Sequence, residues 1–353
     1  MKKESAQQTF WPSEFTQTRR RKKLSSLAPA KPTVVYDTYW RFAAERQATF
    51  FRRFNNEPHP WSQDDILQTY KFTNAYRASD RVSQYLIRNV IYNGSQEVEE
   101  VFFRTILFKL FNKIGTWEML IREHGFPSFE QYKYKAFDRT LTKAMANKQT
   151  IYSAAYIMPS GSRELNSTKK HRSHLQLLEK MMKDEVPKKI ADFTNMREGF
   201  ELLLSYPMIG DFLAYQYITD LNYSEICDFT EMEFAVPGPG AIDGISKCFK
   251  SLGGLNETDI IKLVADRQTD EFERLGIEFQ SLWGRPLQLI DCQNLFCEIS
   301  KYSRVSHPKI KGVANRTRIK QKYSAKNEPI AFWYPPKWQI NDRIENKHPA
   351  IEE

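Results

Sequence analysis

Apolar and aromatic residues return at intervals of three and four along most of residues 36–305. That period, held over one segment after another, commits the chain to packed helices rather than to a sheet. The pattern is plain in YWRFAAERQATFFRRF (39–54), ILQTYKFTNAYRASDRVSQYLIRNVIY (66–92) and EEVFFRTILFKLFNKIGTWEMLI (99–121), where Gly115 is the expected interruption. It resumes in FDRTLTKAMANK, LQLLEKMMKDEV and MREGFELLLSY. No run of strands and no internal repeat emerges, so the expected class is mainly α. Flanking the helical part, residues 1–35 read as a flexible basic arm carrying Arg19, Arg20, Arg21, Lys22 and Lys23. Residues 306–353 read as a basic and then aromatic tail that docks through AFWYPPKW.

With 353 residues, 41% of them hydrophobic, the chain can bury a large core. Its 52 Lys and Arg against 43 Asp and Glu leave a formal charge of +9, which suits a polyanionic partner or simply a basic soluble protein. No apolar stretch approaches the roughly 20 residues that span a bilayer. The N-terminus lacks the apolar segment of a signal peptide. The expectation is a soluble, cytoplasmic monomer that makes no membrane contact. Cys227, Cys248, Cys292 and Cys297 form no disulfide framework, no zinc spacing and no four-cysteine iron–sulfur loop, so neither metal nor cofactor is expected.

The most informative local pattern is FELLLSYPMIGDFLAYQYITDL, residues 200–221. One helix should end at Tyr206, a tight turn should run from Pro207 to Gly210, and a second helix should begin at once. Such a corner presents backbone N–H groups that hold a phosphate oxygen without reading sequence. It resembles the helix-hairpin-helix of base-excision glycosylases, with Met208 where the first turn glycine stands and Phe212 where strand-cutting members carry a lysine. Pro207, Ile209 and Gly210 are therefore candidate DNA contacts, joined by the basic cluster Lys169, Lys170 and Arg172. An ordinary corner of an all-helical protein is the alternative.

An acidic side chain should follow such a hairpin, to stabilise the positive charge that grows on a sugar as its N-glycosidic bond breaks. In QLIDCQNLFCEISKY, Asp291 follows an apolar pair and opens a helix; it is either that carboxylate or a helix cap. Asp220 and Asp243 are the other candidates. AVPGPGAIDGISK, with Gly238 and Gly240, can bring backbone close to a ligand or serve as a rigid turn, and it is not a Walker A loop. Asn74, Tyr76, Arg77, Asp80 and Arg81 are expected on one helix. They would form either an ion-pair network or a pocket wall, with Asn74 on a base edge, Tyr76 stacked, and Arg77 or Arg81 on phosphate.

Together FTNAYRASDRVSQYLI, FFRTILFKLFNKIGTWE, YPMIGDFLAYQYITDLNYS, EFAVPGPGAIDGISKCF and QLIDCQNLFCEISKY resemble the α-glutamyl/putrescinyl-thymine pyrophosphorylase family. That family includes the helical domain attached to some phage hydroxymethyluracil DNA kinases. The resemblance spans about residues 36–305 and implies a dealing with hypermodified pyrimidines in phage DNA. With the hairpin, it leads to an expected two-lobed, glycosylase-like fold. The expected activity is that of a monofunctional DNA glycosylase that excises a hypermodified pyrimidine, such as glucosylated hydroxymethylcytosine, as antiphage defence. The alternative is a transferase or pyrophosphorylase that builds such modifications on hydroxymethyl-pyrimidines. A non-catalytic DNA-binding protein is a third reading.

Overall fold

The computed structural model describes residues 29–161, 169–325 and 331–344. The basic run Arg19–Lys23 lies outside them. Helices dominate. Helix α1 (Val34–Phe54) opens where the Thr33 hydroxyl accepts the Val35 N–H, and its buried face carries Tyr36, Tyr39, Trp40, Phe50 and Phe51. Each such ring, taken out of water, contributes roughly 1.5–3 kcal/mol. The short α2 (Asp65–Thr69) is capped by the Asp64 carboxylate.

Asn74–Arg81 does not form the expected single helix. Its polar side chains capture backbone groups: the Asn74 amide donates to the Ser79 carbonyl, and the Asp80 carboxylate accepts the Asn74 N–H. The chain therefore makes a loop, a 3-10 turn (Arg77–Ser79), the short α3 (Arg81–Leu86) and one π-helical turn (Ile87–Ile91). After α4 (Val98–Phe111), the break falls at Asn112, whose φ of 48° is left-handed, and not at Gly115, which lies inside α5 (Ile114–His124). Asparagine tolerates that conformation, so it ends the helix without a glycine.

Four helices follow: α6 (Tyr134–Ala146), α7 (Lys170–Lys183), α8 (Val186–Asp192) and α9 (Met196–Leu204). A six-residue turn joins α9 to α10 (Asp211–Leu221). Met208 in that turn takes φ 68°, the left-handed conformation usually given to glycine. The segment 222–238 is irregular. Then come α11 (Pro239–Cys248), α12 (Glu257–Asp266), α13 (Gln268–Arg274) and α14 (Leu289–Ser306). Gly238 and Pro239 thus open a helix, with proline in the first turn where its missing N–H has no helical partner. The only sheet among the described residues is the antiparallel pair β1 (Lys31–Pro32) and β2 (Phe249–Ser251).

The tightest helix pair is α11 against α14. A Cβ added at Gly244 would collide with the Phe296 carbonyl oxygen, and one at Gly240 would press on the Cys297 sulfur. These two glycines let the backbones approach closely. Part of the C-terminal segment packs on the helices. Trp338 packs beneath the Arg285 guanidinium, and Lys337 donates to the Ser224 and Cys227 carbonyls. No described helix is long and apolar enough to cross a membrane.

Candidate functional site

Arg77 organises the centre of the molecule. It is 2% exposed. Its Nε donates to Gln216 Oε1 at 3.0 Å; its Nη1 donates to Asp220 Oδ1 at 2.7 Å and to the Tyr223 hydroxyl at 2.9 Å. The other Asp220 oxygen sits 3.0 Å from Lys109 Nζ, which also donates to Asn112. One buried carboxylate therefore lies between two buried cations, an arrangement with a net charge of +1. Burial alone would push the Asp220 carboxyl up; Arg77 and Lys109 overcome it and hold the carboxyl below its usual range. Burial pushes the Lys109 amine down.

An aromatic pair covers this cluster. The Tyr156 ring lies 4.5 Å from Lys109 Nζ and stacks on Phe212 at 5.7 Å with an 8° tilt. Tyr156 itself has φ 54°, a strained conformation that the surrounding packing must hold. Beside the pair, Gly238 leaves room that a Cβ would fill against Phe212 and Gln293. Two primary amides border the same region, each with one polar atom buried and unpartnered among the described residues: Gln216 Nε2 and Gln293 Oε1. An unpaired buried polar atom calls for a partner, whether a water, an ion or a ligand. A donor, an acceptor and a stacking surface are the kinds of group that a heterocyclic ring can satisfy.

Of the sequence candidates, the structure brings Arg77, Asp220, Asp291 and Gly238 to this region. Asp291 is 4% exposed, and both its oxygens are engaged: one accepts the Arg77 N–H at 2.8 Å, the other the Gln288 N–H at 3.0 Å in a capping box. Burial raises its pKa to about 7 against the pull of those two amides. Asp243 lies elsewhere, at the middle of α11, bound to the Ala314 N–H and the Ser300 hydroxyl. Asn74 is used up by Ser79 and Arg46, and the buried Tyr76 hydroxyl bonds backbone at Arg285 and Leu282. Arg81 is exposed, and Gly240 serves the α11–α14 contact. In the hairpin, Ile209 is buried, Pro207 half-buried and Gly210 exposed at the start of α10. Lys169 is exposed, Lys170 lies over the Tyr152 ring, and Arg172 pairs with Asp138 at 2.8 Å.

Lys109, Tyr156, Gln216 and Gln293 were not singled out from sequence. Lys109 and Gln216 carry a readable signal, a lone polar residue on the buried stripe of an apolar helix. Tyr156 and Gln293 carry none.

A family model described as the helical domain of 5-hmdU DNA kinase matches residues 33–312. The chain belongs to this family. A 5-hmdU DNA kinase of Bacillus phage SP10 is 26% identical over 340 residues, covering 90% of this chain and 52% of the relative. The chain thus spans about half the length of that curated relative. No solved structure matches it.

These findings overturn the expected hydrolytic glycosylase and, with it, the excision of a modified base in defence. A kinase is a transferase, not a hydrolase. The geometry gives Asp291 a structural use: each of its oxygens accepts a backbone N–H in a buried helix cap.

Proposed function

We propose that this chain takes part in a group transfer on a 5-hydroxymethylpyrimidine in DNA, elaborating the modification and leaving the base attached. The observation that carries the reading is the two half-satisfied amides, Gln216 bonded to Arg77 and Gln293 beside Gly238, in the region of the stacked Tyr156 and Phe212, in a family named for a kinase of such a nucleoside. In this reading the hairpin 205–210 and the first turn of α10 grip the backbone. The N–H groups that open a helix have no helical partner, and they suit a phosphate oxygen.

The target nucleotide leaves the stack at a cost of a few kcal/mol and slides beside Phe212. Gln216 Nε2 donates to its carbonyl edge, and Gln293 Oε1 accepts from its ring or exocyclic N–H. The positive net charge of Arg77, Lys109 and Asp220 lies one layer below, where it favours an anionic group over a neutral one. The reacting atom is the exocyclic hydroxymethyl oxygen or the group already carried on it. Exposed Lys169 extends the phosphate contacts beyond the hairpin.

The test weighs nucleosides. Duplex DNA containing 5-hydroxymethyluracil is incubated with the protein, ATP and magnesium. In a second arm, the same DNA is pyrophosphorylated at the hydroxymethyl oxygen and supplied with an amine donor. A heavier nucleoside in either arm, absent with Gln293→Leu, is the expected result. Because that leucine replaces an amide whose oxygen has no partner, folding stability should change by less than about 1 kcal/mol. Unaltered nucleosides in both arms, or free base with abasic sites, would refute the proposal.

A further inference from the structure

A second feature stands apart from the Gln216–Gln293 region. A small cavity of about 130 Å³ lies at the C-terminal ends of α11 and α14, lined by Lys247, Arg304, Lys311, Gly312 and Arg316 among others. Among the described residues no carboxylate lines it, and the two nearby are spent: Asp243 accepts the Ala314 N–H and the Ser300 hydroxyl and lies 3.5 Å from Lys247 Nζ, and Glu298 pairs with Lys301. Ser300 ties the cations in place. Its carbonyl accepts Lys247 Nζ at 2.8 Å, and its hydroxyl accepts Arg304 Nη2 at 3.3 Å. Arg304 Nη1 is bound to the Arg318 carbonyl, but Arg304 Nε is buried with no partner among the described residues. Gly312 completes the wall; a Cβ there would overlap Asp243, so the loop 308–317 sits close against α11.

We propose that this cavity binds a phosphate group. Its volume admits one tetrahedral anion, four of its lining side chains are cationic, and Arg304, one of them, has an Nε–H with no partner among the described residues. Guanidinium and ammonium groups held by their own hydrogen bonds bind phosphate without having to reorganise. The placement suits the proposed DNA contact. Gln293 and Arg304 are 11 residues apart on α14, three turns, so they share a face and lie about 16 Å apart along the axis. At 3.4 Å of rise per nucleotide, that spacing is about five nucleotides from the base held at Gln293. A phosphate here can come from the DNA backbone or from free phosphate or pyrophosphate liberated by the transfer.

The experiment uses the full chain and unmodified DNA, so it does not depend on the modification chemistry. Arg316→Gln changes an exposed side chain, and Arg304→Gln removes the orphaned donor; both should fold, as thermal melting without ligand will verify. Binding of a short fluorescent duplex is measured against salt, and melting is followed with inorganic phosphate and with pyrophosphate. A backbone site predicts that the double variant loses about 0.9 from the slope of log K against log salt, one phosphate's worth, with affinity several-fold weaker. A free-phosphate site predicts that phosphate or pyrophosphate stabilises the wild type and not the variant, with the slope unchanged. An unchanged slope together with no phosphate-dependent stabilisation of the wild type overturns the proposal.

Discussion

Replacing Asp220 by asparagine should destabilise the protein more than almost any other isosteric change, because it leaves Arg77 and Lys109 facing each other's charge without a counter-ion. Asp220 is fully buried, 2.7 Å from Arg77 Nη1 and 3.0 Å from Lys109 Nζ. Removing one partner from a buried ion pair costs about 3–5 kcal/mol, since the remaining charge keeps its desolvation penalty and loses its attraction. Part of that cost can be relieved because Lys109 can shed its proton. Its pKa is already lowered by burial and should fall further in the variant. A cation with a lowered folded-state pKa binds fewer protons than its unfolded counterpart, so the stability of Asp220→Asn should rise as pH increases from 7 towards the ordinary lysine pKa of about 10.4. Asp220→Asn/Lys109→Met, which removes the second charge as well, should recover a large part of the loss. Urea unfolding of wild type, single and double variants at two pH values measures all of this. A single-variant loss under about 1 kcal/mol at neutral pH, or no recovery in the double variant, would show that the three groups are not a closed charge cluster.

Asp291→Asn probes a carboxyl that burial pushes up to about 7. The folded state holds that proton where the unfolded chain has released it near pH 3.9, so this group's contribution to stability falls as pH rises from about 4 to 7. The variant should flatten that part of the stability profile and lose about 1 kcal/mol with the cap at Gln288; an unchanged profile by chemical denaturation would count against it. Gly244→Ala should destabilise by about 3 kcal/mol or more, because its methyl meets the backbone of Phe296 and not a movable side chain. A melting temperature equal to wild type would contradict the described α11–α14 approach. Met208→Gly should be near neutral, the relief of a left-handed φ offsetting the added chain entropy, whereas Met208→Val should lose more than about 1 kcal/mol. Equal stabilities for these two variants would mean that the turn does not hold Met208 at positive φ.

The helical class and the corner between α9 and α10 were legible as one-dimensional patterns. Apolar periodicity and turn residues act over a few positions, and the chain cannot easily contradict them. The Asn74–Arg81 segment was not legible as helix or loop. Its period is helical, yet the Asp80 carboxylate claims the Asn74 N–H and the Asn74 amide claims the Ser79 carbonyl, and that competition depends on geometry. Asp291 shows the same limit from the other side. An aspartate opening a helix is compatible with a cap and with catalysis alike; only the positions of the Arg77 and Gln288 amides decide how its oxygens are used.

By itself, the order of residues determined that this chain would be mainly helical, because that outcome follows from local periodicity; where single helices break, as at Asn112 and across Asn74–Asp80, was decided by backbone and side-chain geometry. It could not determine which polar side chains would meet. Lys109, Arg77 and Asp220 come from three separate segments, and Gln216 and Gln293 are 77 positions apart. Whether such groups pair, remain open or enclose a cavity is set by how α4, α10, α11 and α14 pack. Burial then turns those meetings into charge balance, shifted pKa values and unfilled hydrogen bonds.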